Sequence, residues 1–280
     1  MKRHLVTGLC CAFLVSFLPT APMQVHATEA DGGAYKPTVG QVGKDVVWVP
    51  TSQDLIDIML DMAELKPDDK LVDLGAGDGR TVISAAKRGV AARGIEYNPD
   101  LVALSRSIAI QEGVADQVTL DHGDIFESDF SDATVVTLFL LPKLNLRLRP
   151  ILLDMPAGTR VISNSFLMDD WQPDETRKTS EDCSGHCIAY KWVVPAKVSG
   201  AWRVHGEQGE QTLILDQEFQ RLNGELHKDG RASPLTDAII KGTQLSFHVD
   251  GKQYEAEVIG EQLQGTIDGE HAWKASKVQS

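Results

Sequence analysis

Basic residues are scarce in this 280-residue chain: 27 Lys and Arg face 40 Asp and Glu, for a formal net charge of −13 at pH 7. That balance repels a polyanion, so nucleic acid is not an expected partner, whereas a cationic acceptor is attracted. Cysteine is nearly as sparse, with four in all, and Cys10 and Cys11 sit in the first 27 residues. A closed structural zinc site takes four ligands, yet CSGHC offers only Cys183, His186 and Cys187, and no partner CxxC or HxxxH occurs elsewhere. A local Cys183–Cys187 disulfide is expected ahead of a metal site that includes His186, and either way the pair reads as structural.

Length for a membrane span is also lacking at the N-terminus. The apolar run Leu5 to Leu18 has 14 residues, whereas a bilayer-crossing helix needs about 20. Preceded by Lys2 and Arg3 and followed by small residues around Val25 and Ala27, the run reads as a secretory signal peptide cleaved after Ala27, not as a permanent anchor. Leu9 before Cys10 does not suit a lipid-modified cysteine, and Lys2-Arg3 is no twin-arginine signal, so export in an unfolded state is expected. Cleavage removes two of the 27 basic residues and none of the 40 acids, leaving a net charge of −15. A periplasmic or secreted location follows from that reading.

What is present is a globular composition, 42% hydrophobic and 24% charged, enough for one large core or two smaller ones. Past a linker at 28–45, residues 46–195 alternate strand-like runs with helical patterns, the sign of a parallel sheet covered by helices on both faces. Thr51 and Asp54 resemble a capping box at the start of a first helix. KLVDL, ARGIE, QVTLDHGD, ATVVTLFLL and TRVISNSF read as successive strands. TVISAAKR, closed by Gly89, a helix opened by Asn98-Pro99, and NLRLRPILLDM read as the helices between them. From residue 196 to 280 the pattern alternates in TLILDQEF, LSFHVDG and YEAEVIG, with turns expected at Asn223-Gly224, Asp250-Gly251 and Asp268-Gly269. A small antiparallel barrel or sandwich is expected there, with a binding or packing role, since it holds no catalytic cluster.

The chemistry concentrates in LVDLGAGDGR, residues 71–80. A strand turning through Gly75, Ala76, Gly77, Asp78 and Gly79 into a helix lets the backbone approach a ligand where a Cβ would collide. A GxGxxG dinucleotide fingerprint fails at Arg80, three residues after Gly77, and no Walker lysine is present. Glu96 follows Asp73 by 23 residues at the end of the second strand, placed to accept from two ribose hydroxyls, and Asp124 ends the third. An acidic rim repels pyrophosphate and suits a cation.

The DxGxGxG pattern at Asp73 resembles the first motif of the class I S-adenosylmethionine methyltransferases, whose fold is a Rossmann-like seven-strand sheet. The resemblance implies Asp73 on the methionine ammonium, Glu96 on the ribose and Asp124 on the adenine amino group. VVWVPTSQDLIDIMLDMAEL and TVVTLFLLPKLNLRLRPILLDMPAGTRVIS resemble exported bacterial relatives of seven-strand protein lysine methyltransferases, over residues 46–195. It further implies a lid at Val49, Pro50 and Thr51, with Thr51 near the methionine carboxylate, and an acceptor path along Phe139, Leu140 and Leu141, for which core packing is an equal account. Asp169, Asp170, Trp171 and Pro173 share the resemblance without a derived role. No Asn-Pro-Pro-Tyr follows the fourth strand, which argues against amide or adenine methylation. Two functions are carried forward. One is an exported methyltransferase acting on an amine of a protein or small molecule. The other is a catalytically silent envelope binding protein that keeps an adenosyl-ligand pocket and contacts a protein partner through its β domain.

Overall fold

The computed structural model describes residues 35–179, 185–205 and 211–278. The expected signal peptide at 1–27 and Cys183 therefore lie outside the described residues, whereas Cys187 is disulfide-bonded.

Helix α1 (Gln53–Ala63) buries Leu55, Ile56, Leu60 and Met62 almost completely, and each such side chain contributes about 1.5–3 kcal/mol by leaving water. Its N-cap is Ser52, whose hydroxyl accepts from Leu55 N. The capping box expected at Thr51 is thus displaced by one residue, because the Thr51 hydroxyl is engaged by Asn164 Nδ2 at 3.1 Å. After α1 come β1 (Lys70–Leu74), α2 (Arg80–Lys87), β2 (Ala91–Glu96), α3 (Pro99–Gln111), β3 (Val118–His122), β4 (Val135–Leu138), α4 (Pro142–Leu153) and β5 (Arg160–Asn164). Asn98 caps α3 by accepting from Asp100 N and Leu101 N, with Pro99 in the first turn, where its missing N–H costs nothing. The alternation ends after β5, where β6 (Glu175–Lys178) and β7 (Ile188–Val193) follow with no helix among the described residues between them.

These strands form one seven-stranded sheet in the order β3-β2-β1-β4-β5-β7-β6. β1 to β5 are parallel, and β7 runs antiparallel to β5 and β6. Successive residues of a strand face opposite sides, and the two cores divide accordingly. Leu71, Val135 and Ile162 pack with α1, α2 and α3 on one face. Val72, Val136 and Val161 pack with Leu144, Leu148 and Leu152 of α4 and with Trp171 and Trp192 on the other.

Residues 200–277 fold separately into β8 (Gly200–His205), β9 (Gln211–Glu218), β10 (Arg221–Lys228), β11 (Arg231–Pro234), β12 (Thr236–Lys241), β13 (Gln244–Val249), β14 (Lys252–Ile259), β15 (Gln262–Ile267) and β16 (His271–Lys277). Pairing of β9 with β10 and of β10 with β12 closes eight of them into an antiparallel barrel, with β11 added beside β10. The inside is filled by Trp202, Phe247, Tyr254 and Trp273 among leucines, a packed core of its own. Asp250-Gly251 and Asp268-Gly269 make left-handed hairpin turns as expected. Asn223-Gly224 does not: it lies inside β10, where a Cβ on Gly224 would stand 2.0 Å from Ile214 O. There the glycine serves the close approach of two strands and not a reversal.

Candidate functional site

Between β1 and α2 the chain turns through Gly75, Gly77 and Gly79, all at positive φ. The turn is pinned to the neighbouring strand, since Gly75 N and Ala76 N both donate to Ile95 O. Thr51, Asp73, Gly75, Ala76, Gly77, Asp78, Glu96 and Asp124 all line one cleft at the carboxyl edge of the sheet. Gly79 lies outside that lining. It caps α2, and a Cβ there would stand 2.8 Å from Ser105 Cβ, so its role is close packing against α3.

The acids come together because β1, β2 and β3 are neighbours in the sheet. Asp73 is buried and accepts from Thr137 Oγ1 at 2.6 Å. Among the described residues no lysine, arginine or histidine pairs with it. Burial pushes its pKa up to about 7 from 3.8, against the pull of the Thr137 and Thr81 hydroxyls and with the charges of Glu96 and Asp78 adding to the rise. Glu96 accepts from Gly77 N at 2.9 Å through one oxygen and from Asn98 N at 2.8 Å through the other, which leaves lone pairs on both for further donors. Asp124, two residues past β3, accepts from Phe126 N. Lys44 pairs with its other oxygen and holds the carboxyl below its usual range.

Several lining residues carried no sequence signal. Residues 40–48 form a small hairpin over the cleft, with Gly40 N donating to Trp48 O, Trp48 N to Gln41 O, and a bridge between Val42 and Val47. A Cβ on Gly77 would meet Trp48 Nε1 at 2.8 Å, so the indole lies directly against the glycine turn. The expected lid at Val49, Pro50 and Thr51 is the continuation of this hairpin along the cleft wall. Lys44 Nζ also sits 4.5 Å from the centre of the Tyr97 ring. Arg80 neutralises Asp78 through a forked contact, 2.9 Å from Nε and 2.6 Å from Nη2, and donates to Thr51 O.

At the other end, Phe139, Leu140 and Leu141 line the cleft as expected. Phe139 stacks on Phe166, with ring centres 6.1 Å apart, and meets His186 edge-on at 4.8 Å. Asp169, Asp170 and Trp171 build a tight turn beneath α4. Asp169 is left-handed, Asp170 pairs with Arg149, and Trp171 O accepts from Trp192 Nε1. Their role is structural.

A methyltransferase family described as the ANTKMT methyltransferase domain matches residues 73–175. A protein-lysine N-methyltransferase of Saccharolobus islandicus (strain REY15A) is 37% identical over 152 residues, covering 53% of this chain and 94% of that relative. The adenine nucleotide translocase lysine N-methyltransferase of Mus musculus is 35% identical over 130 residues, covering 46% of this chain and 56% of that protein. The chain thus spans little more than half the length of the mouse relative. A crystal structure described as an RNA methyltransferase from Salinibacter ruber in complex with S-adenosyl-L-homocysteine shares 47% identity at a TM-score of 0.50, covering 54% of this chain and 96% of that one.

The donor set fits an adenosyl sulfonium amino acid. Asp73 is a buried carboxyl with no cationic partner among the described residues, Glu96 has free lone pairs where a diol would reach, and the glycine turn offers a wall with no side chain.

Proposed function

Since the chain belongs to the S-adenosylmethionine-dependent N-methyltransferases, we propose that it methylates the side-chain amine of lysine in proteins outside the cytoplasm. The observation that carries this reading is the meeting of Asp73, Glu96 and Asp124 in one cleft whose far end is walled by Phe139 and Phe166. Bound there, S-adenosylmethionine would supply a methyl group on a sulfonium, its C–S bond giving way as the N–C bond to the acceptor amine forms. Asp73 would hold the methionine ammonium, Glu96 the ribose hydroxyls, and Asp124 the adenine amino group. Thr51 and the hairpin of Trp48 exclude water from that end. The Phe139 and Phe166 rings shape an apolar path that strips water from an alkylamine and aligns it.

Two observations support export: the signal-like sequence of residues 1–27 and the disulfide at Cys187, a bond kept in oxidising compartments. The acidic surface favours a lysine-bearing partner. Protein substrates are supported by the Saccharolobus islandicus relative, itself named a protein-lysine N-methyltransferase. The test is calorimetry of residues 28–280 with S-adenosylmethionine, followed by incubation with labelled donor and an envelope extract. Label on lysine of an envelope protein is the expected result. Tight binding without transfer to any protein would instead support a silent adenosyl-ligand binder.

A further inference from the structure

One lining side chain has no place in holding the cofactor. His186 lies beyond residue 175, where the family match ends, and reaches the cleft from the segment just before β7. Its backbone is left-handed, at φ 55°, an uncommon state for a residue with a Cβ. Its Nδ1 is 3.3 Å from Ser165 Oγ. Ser165 is itself left-handed, at φ 64°, and its hydroxyl donates to Asn164 Oδ1 at 2.7 Å. Asn164 is fully buried and donates in turn to Thr51 Oγ1.

This chain of contacts fixes a tautomer. A serine hydroxyl has one proton, and Ser165 spends it on the Asn164 carbonyl oxygen, an atom that can only accept. Towards His186 the hydroxyl therefore accepts, which requires the proton on Nδ1 and leaves the lone pair on Nε2. The imidazole is a base held by a buried amide. The end of β4 and the turn after β5 present Phe139, Phe166 and Ser165 around it, none of them charged.

We propose that His186 is the catalytic base that takes the proton from the incoming lysine ammonium. The inference rests on the methyltransferase reading above and adds the group that prepares the acceptor. A free lysine ammonium has a pKa near 10.4, so about one amine in a thousand or fewer is neutral at pH 7 and able to attack carbon. The Phe139 and Phe166 walls disfavour the charged form and so lower its pKa. One proton moves from the ammonium nitrogen to Nε2, the neutral amine then attacks, and the imidazolium returns the proton to bulk water from its exposed position at the cleft mouth.

The experiment compares wild type with His186→Gln and Ser165→Ala, using poly-L-lysine as acceptor over about pH 6 to 10. In His186→Gln, affinity for S-adenosylhomocysteine by calorimetry stays within about twofold, kcat/KM at pH 7 falls about 100-fold, and the deficit shrinks towards pH 10 as the acceptor ionises unaided. Added imidazole restores part of the rate at pH 7. Ser165→Ala loses about tenfold with the same pH trend, since the ring remains but its tautomer is no longer fixed. A His186→Gln enzyme with a deficit constant across pH, or with cofactor binding lost, overturns the proposal and leaves His186 a packing residue. If the wild type binds cofactor but methylates no lysine, it is the function that fails, and the base role falls with it. If the wild type methylates lysine, NMR of His186 on adding n-butylamine to the S-adenosylhomocysteine complex places the amine: no shift of its ring protons overturns the proposal.

Discussion

The Thr137 hydroxyl donates to Asp73 Oδ1 across 2.6 Å, from the neighbouring strand β4 to β1, and both side chains are buried. A neutral donor stabilises the carboxylate only in part, which is why burial still pushes the Asp73 pKa up to about 7. Unfolded, the group ionises near 3.8. Between those two values the folded chain holds the extra proton, so the stability that Asp73 contributes is complete at about pH 4 and is lost as pH rises through about 7. A ligand ammonium beside Asp73 reverses the preference. Cofactor binding is therefore expected to release close to one proton at about pH 5.5 and almost none at about pH 8.5. Calorimetry in buffers of different ionisation enthalpy measures this, and a release independent of pH would remove Asp73 from the ammonium site. Asp73→Asn is expected to bind at least about 100-fold more weakly at pH 8.

Glu96 differs, because its two oxygens already accept from the backbone of Gly77 and Asn98. Glu96→Gln keeps the shape but turns an acceptor into a donor facing those N–H groups. Loss of charge-assisted bonds to a ribose diol weakens cofactor binding by about 10- to 100-fold. The same change lowers the melting temperature of the free protein, since the Gly77 or Asn98 N–H loses its partner. A thermal melt without ligand checks that separately from calorimetry.

How much of this was legible in the sequence follows from how local each cause is. The acids Asp73, Glu96 and Asp124 were readable because each ends or follows a strand, and the order of a parallel sheet brings those ends together. Asp250-Gly251 was readable as a turn from two adjacent residues. Asn223-Gly224 was not, because the dipeptide suits a turn equally well, and only the pairing of β10 with β9 shows that the missing Cβ admits Ile214 O. The Thr51 cap failed for the same reason: its true partner, Asn164, is 113 residues away. Lys44 at Asp124 and His186 beside Phe139 are also long-range meetings with no periodicity or spacing to announce them.

Gly77→Ala tests the hairpin over the cleft. The residue sits at φ 57°, and the new Cβ would meet Trp48 Nε1 at 2.8 Å. Left-handed strain costs about 1–2 kcal/mol, and the indole must also move. The expected result is weaker cofactor binding, together with faster proteolysis near residues 40–48. Gly89→Ala, also at positive φ but with open space around it, carries the strain alone and serves as the control.

Lys44 holds the carboxylate that the proposed function assigns to the adenine amino group. The Lys44–Asp124 pair therefore opens, or is shared, when cofactor enters. Lys44→Ala should leave the melting temperature unchanged, because Lys44 is an exposed partner and such pairs add little to stability. It should raise the association rate of the cationic cofactor several-fold and steepen the fall of that rate with added salt, since Asp124 is freed in an already acidic cleft. Stopped-flow fluorescence, with Trp48 against the glycine turn as reporter, gives both quantities.

The barrel's contribution can be separated from the cleft's. Every residue lining the cleft lies between Gln41 and His186, so none comes from the barrel. Yet Phe219 of the barrel half stacks on buried Trp171, Gln220 Nε2 donates to Gln172 O at 2.6 Å, and Ala196 N donates to Gly242 O. A chain ending at residue 195 strips Phe219 from Trp171 and Gln220 from Gln172, and leaves the face of Trp171 that Phe219 covers in water. Exposing one large aromatic contact costs about 3–5 kcal/mol, enough to lower the melting temperature by about 5 °C or more in a domain of this size. Cofactor affinity measured well below that temperature should nonetheless match the full chain. An equal melting temperature would make the barrel an appendage free for other partners. Lost affinity in a folded truncation would mean that it braces the turn holding Trp171 and, through β7, the segment that carries His186.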